Sequence, residues 1–128
     1  MILTKKCKVD FEKWYLQWVF NEKTFLSLKF SSKEILENWK SLHESEKYGV
    51  LVDFFDNVGI IIDLQPVLDY NENSYVEVLY WLINVIELNV DKKRNYDTNF
   101  KTIPEARTKL IEKANEIYNS KEIGIPTE

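Results

Sequence analysis

The chain has 128 residues, 45% of them hydrophobic and 14% aromatic, with a net charge of −4. That is enough for one domain whose core needs neither disulfides nor metal. A single cysteine (Cys7), a single histidine (His43) and three glycines exclude a disulfide framework, a multi-histidine metal site and most glycine-rich phosphate loops.

In chain order, Asp10 to Phe20 reads as a helix. Phe11, Trp14, Tyr15, Trp18 and Val19 recur at helical spacing, and Asp10 stands where a cap belongs. The aromatic stripe suits a core face first, a dimer seam or binding surface being the alternative. Thr24 to Phe30 alternates Leu26, Leu28 and Phe30 against Ser27 and Lys29, as a strand does. Ser31 to Glu34 then forms a capping box for a helix carrying Ile35, Leu36, Trp39, Leu42 and His43. Tyr48, Leu51, Val52, Phe55 and Val58 line the next helix, with Gly59 at its end and Asp53 and Asp56 on its solvent side. Ile60, Ile62 and Leu64 share one face of a strand that Pro66 ends or marks as an edge. Asp69 to Ser74 reads as a polar turn.

Residues 75–90 admit two readings. Val76, Val78, Tyr80, Leu82, Ile86, Leu88 and Val90 alternate as a strand, but Tyr75, Val78, Leu79, Leu82, Ile83 and Ile86 fit a helix that Ser74 and Glu77 would cap. Strand pairing is favoured. Asp91 to Asn99 reads as an exposed polar turn. Thr102 to Glu105 is a capping box with proline in the first turn, opening a helix whose buried stripe is Ala106, Leu110, Ile111, Ala114, Ile117 and Tyr118. This helix is expected to end by Asn119, leaving a flexible tail over 120–128. The fold expected is a single α+β domain over 1–128. Amphipathic helices pack on a small, mainly antiparallel sheet, with a long C-terminal helix. The alternative is a mostly α fold, if 75–90 is helical.

Charge is unevenly distributed. Residues 1–43 net +3 and residues 78–128 net zero, whereas residues 44–77 carry eight acids against Lys47 alone. The acids Asp53, Asp56, Asp63, Asp69 and Glu72 are therefore candidates for a patch that docks on a basic partner, a solvated face being the simpler reading. Lys5, Lys6, Lys8, Lys92, Lys93 and Arg94 are candidate nucleic-acid contacts, although the pI is near 5.1. Residues with AT-rich codons (Phe, Tyr, Met, Ile, Asn, Lys) number 53 and those with GC-rich codons (Gly, Ala, Arg, Pro) number 10, so genome composition accounts for the many lysines.

Catalytic chemistry has few anchors. Cys7 with His43 would make a nucleophilic dyad only if the fold joined them, and His43 is expected to be packed beside Trp39. Asp63, at the end of an apolar strand, would be the first ligand of a carboxylate metal site, but the acid and lysine that nucleases place on the next strand are missing. No catalytic residue, metal ligand or cofactor is assigned. The start of the chain lacks a secretory h-region, and no apolar run is long enough to span a membrane. With a lone cysteine, a cytoplasmic setting is expected.

The segment from Phe54-Phe55-Asp56-Asn57-Val58-Gly59-Ile60 through the Ile-rich strand to Pro66 is followed by a β stretch. A helix then opens Pro104-Glu105-Ala106-Arg107 and reaches Lys113-Ala114-Asn115-Glu116-Ile117-Tyr118-Asn119. This order, over residues 50–119, resembles small phage- and prophage-encoded α+β proteins of AT-rich bacteria. Such proteins carry no catalytic motif to transfer. The resemblance implies a mobile-element setting and, by analogy with anti-CRISPR proteins, an inhibitor of a host-defence protein such as a CRISPR nuclease. Two other readings stay open: a nucleic-acid-binding accessory protein using the six basic residues above, and a metal-dependent enzyme centred on Asp63. Oligomeric state is open as well.

Overall fold

A computed structural model describes residues 1–22, 29–70, 76–88 and 92–124, apart from the side chains of 92–99 and 121–124. Among the described residues, three helices precede a three-stranded antiparallel sheet and another follows it: α1 (Lys5–Glu22), α2 (Ser32–Lys40), α3 (Glu44–Asn57), β1 (Ile60–Tyr70), β2 (Val76–Glu87), β3 (Lys92–Phe100) and α4 (Ile103–Gly124). The sheet order is β1-β2-β3. This is the expected α+β domain with a long C-terminal helix, and residues 76–87 take the strand reading. That segment is rich in β-branched and aromatic residues, and its backbone pairs with β1 along its length and with β3 from Trp81 to Glu87.

Aromatic packing among the helices organises the core. Phe11 and Phe54 are almost wholly buried and meet edge-on, with ring centroids 5.3 Å apart. Trp39 packs against Phe11 at 4.7 Å and against Tyr15 at 5.0 Å, which fastens α2 to α1. The core face of the sheet, Ile60, Ile62 and Leu64 with Ile83 and Val85, joins the same cluster as Ala106, Leu110, Ile111, Ala114 and Ile117 of α4. Arg107 of α4 lies over the Tyr48 ring of α3, 5.0 Å from its centre, adding a cation–π contact between the two helices.

Helix ends follow local chemistry. The Ser31 hydroxyl accepts from the Glu34 backbone N–H, and the Glu34 carboxylate accepts in turn from the Ser31 N–H, completing the expected capping box. These bonds hold the Glu34 carboxyl below its ordinary range. Gly59 follows α3 with φ of 85°, a left-handed conformation that glycine adopts without a Cβ penalty. Thr102 accepts from the Glu105 N–H at the start of α4.

Several local expectations are corrected. Helix α1 begins at Lys5, so Asp10 lies inside it and cannot cap it. Its N-terminus is instead capped from α4. The Asn119 side chain accepts from the Cys7 N–H at 2.9 Å and donates to the Thr4 carbonyl, while Asn115 accepts from the Thr4 N–H at 3.0 Å. Asp10 accepts from the Tyr118 hydroxyl and pairs with Lys6. Helix α2 stops at Lys40, and His43 is the exposed cap of α3, its ring accepting from the Ser45 N–H. Leu42 and His43 therefore do not extend the α2 stripe. Most of the strand expected over Thr24 to Phe30 lies outside the described residues, Lys29 being helical and Phe30 an exposed bend. Residues 92–99, read as part of a polar turn over Asp91 to Asn99, form β3 together with Phe100. The open edge of β2 recruits them, and they contain no glycine or proline to stop pairing. Helix α4 continues past Asn119 to Gly124, which shortens the expected tail; residues 125–128 lie outside the described residues.

Candidate interaction surface

The β1–β2 ribbon is longer than the helical layer that covers it. Cross-strand register places Ile60 opposite Glu87, Ile62 opposite Val85, Leu64 opposite Ile83 and Pro66 opposite Trp81 on the core face. The same face continues outward through Leu68 opposite Val78 and Tyr70 opposite Val76. These four residues are exposed, Tyr70 by 72%. The buried face of the sheet thus runs on, uncovered, into a projecting arm. β3 does not follow it, because its last pair joins Phe100 to Trp81. The register slips between Val67 and Leu68, which face Tyr80 and Val78, so Leu79 has no opposite residue and bulges from the ribbon.

The other face of the ribbon carries charge. Asp63 faces Asn84, whose amide donates to it at 3.5 Å, and Asp69 faces Glu77 directly. Directly opposed like charges cost about 0.2–1 kcal/mol relative to a neutral pair. The arm is therefore two-sided, with Leu68, Tyr70, Val76 and Val78 on one face and the opposed Asp69 and Glu77 beside Val67 and Tyr80 on the other.

The predicted acids divide between two surfaces. Asp53 and Asp56 are exposed on the solvent side of α3, while Asp63 and Asp69 lie on β1, on the face turned from the core, about 20 Å apart at strand rise. Glu72 lies outside the described residues. Glu77, Leu68, Tyr70, Val76 and Val78 were not among the site candidates, although Val76, Val78 and Glu77 entered the strand and capping readings of that segment. The register of β1 and β2 sets 69 opposite 77, and the alternation read over 76–90 was the signal available. Of the basic candidates, Lys5, Lys6 and Lys8 are exposed at the start of α1, Lys6 paired with Asp10 at 3.2 Å. Lys92, Lys93 and Arg94 open β3 opposite Glu87, Ile86 and Val85, at the end of the sheet farthest from the arm.

The candidate catalytic groups lie apart. Cys7 is fully buried, and burial together with the Asp10 charge pushes its thiol up to about 12, so it stays protonated and unreactive. His43 is exposed and engaged at the cap of α3. Among the described residues, no three of His, Cys, Asp and Glu converge as a metal site would require. A cavity of about 760 Å³ between α1 and α2 is lined by Tyr15, Val19, Phe30 and Ile35. Its one acid with a shifted range, Glu34, is committed to the cap. No helix among the described residues is long and apolar enough to cross a membrane.

No protein-family model, curated protein or solved structure matches the chain.

Proposed function

We propose that this is a non-enzymatic binding protein that docks the β1–β2 arm, helped by its acidic side chains, on a basic surface of a larger protein in the cytoplasm. The single observation that carries the reading is the arm itself, exposed and apolar on one face with Asp69 confronting Glu77 on the other. Apolar anchors supply contact area, and carboxylates steer encounter with a basic partner. Proteins that handle nucleic acid present such surfaces. With the resemblance to phage-encoded proteins, this makes a host-defence protein such as a CRISPR nuclease the partner of choice, and blocking or diverting it the effect.

The test is affinity capture from nuclease-expressing cells with the native chain and with a variant carrying Asp53→Lys, Asp56→Lys, Asp63→Lys and Asp69→Lys. The native chain is expected to retain a stable partner and inhibit it, and the variant to lose both. Equal inhibition by the variant would overturn the acidic docking surface. Salt-sensitive binding of RNA or DNA by the protein alone would shift the reading to Lys5, Lys6, Lys8, Lys92, Lys93 and Arg94.

A further inference from the structure

The two long edges of the arm differ. Along β1, Pro66 interrupts the outer edge and removes a donor. Along β2, β3 covers the edge only from Glu87 to Trp81, and among the described residues nothing pairs with the outer edge of Val76 to Tyr80. Beyond Phe100 the chain turns into α4. The line of β3 is thus open from the Leu79 bulge to the end of the arm. Unpaired strand edges of this kind are templates for an incoming strand.

We propose that the outer edge of Val76 to Tyr80 accepts an extended segment of the partner protein as an added strand, in line with β3, and that this segment alternates apolar and basic residues. The proposal rests on the protein-binding reading above and specifies its mode. Successive side chains of an added strand fall on opposite faces. One set would lie beside Val76 and Val78, extending the strip that Leu68 and Tyr70 complete. The other would lie beside Glu77, next to Asp69. A lysine or arginine there relieves the repulsion between the two carboxylates, and a second acid would deepen it. A second copy of this chain is disfavoured as occupant, since it would bring another acidic arm to an already acidic face. The strip offers only the side chains of Leu68, Tyr70, Val76 and Val78, fewer than the roughly 20 residues a side of a standard interface, which suits a short segment.

The experiment uses the full chain and a short fluorescent peptide alternating lysine and valine, followed by anisotropy and by backbone amide spectra. The peptide is expected to bind and to protect amides of Val76 to Tyr80 from exchange. Methylating its backbone nitrogens at alternate residues, or replacing lysine by glutamate, is expected to weaken binding about tenfold or more. Glu77→Lys in the protein is expected to do the same without lowering the unfolding midpoint. Equal binding of the methylated peptide, or amides of Val76 to Tyr80 unchanged by peptide, would overturn strand addition. So would a doubled mass by light scattering with those amides already protected. If the peptide fails while the four-lysine variant still loses its captured partner, only the strand-addition mode falls. If the peptide binds and no partner is captured or inhibited, the inhibitor reading falls and the edge remains a binding site.

Discussion

The inner and outer halves of the β1–β2 ribbon share one pattern and have opposite surroundings. Ile60, Ile62, Ile83 and Val85 are at most 8% exposed under the helices. Leu68, Tyr70, Val76 and Val78 continue the same face and meet solvent. Alternation therefore decides that a segment is a strand, and the reach of the covering helices decides whether its apolar face is core or contact surface. The difference also separates stability from binding. Apolar side chains in the inner half hold the fold, and those in the outer half meet solvent and form the contact surface proposed above.

Substitutions should divide along that line. Phe54→Ala, at the meeting point of Phe11, Trp14, Phe55 and Tyr118, is expected to cost about 3–5 kcal/mol in urea unfolding. Tyr70→Ser or Leu68→Ser should stay within about 0.5 kcal/mol in the same measurement while weakening capture of the partner. A large loss of stability from the arm substitutions would erase the distinction. Asn119→Ala removes the cap of α1 and should cost about 1–3 kcal/mol. It should also speed labelling of the Cys7 thiol, which in the native chain reacts only through opening, since burial keeps it protonated.

Acid should loosen the helical layer at the α1–α4 contact. Burial pushes the Asp10 carboxyl up, but hydrogen bonds from Tyr118 and Lys6, with the charges of Lys6 and Lys13, bring it below its ordinary value. A carboxyl lowered by folding contributes stability that is complete above its unfolded value, about 3.9, and lost as pH falls through the folded one. Tyr118→Phe should flatten that dependence in unfolding curves taken across the acid range. The smallest effect is opposite in sign. Glu77→Lys replaces a repulsive pair on the arm with an attractive one and should stabilise the fold by about 0.2–1 kcal/mol, even as it weakens binding. Destabilisation by Glu77→Lys would show that Asp69 and Glu77 do not confront each other.

Elements with strong local signals were legible in the sequence. The Ser31–Glu34 box, the Gly59 terminus and the stripe of α4 rest on contacts a few residues apart. Polar β3 was not legible, because its pairing comes from β2 rather than from its own hydropathy. The cap of α1 was hidden for a related reason: its partners, Asn115 and Asn119, lie at the far end of the chain. At the candidate surface, the acidity of residues 44–77 was visible, but its division between α3 and the ribbon depends on strand parity. The arm was missed because composition does not show where helices stop covering a sheet.

The cap of α1 also bears on how the chain folds during synthesis. The bond from the Cys7 N–H to Asn119 spans 112 positions. At roughly 5–20 residues per second of translation, α1 waits on the order of ten seconds for the side chain that caps it. Throughout that interval the stripe of Phe11, Tyr15 and Val19 lacks the helix that covers its first turn. The first helix made is then among the last to be secured.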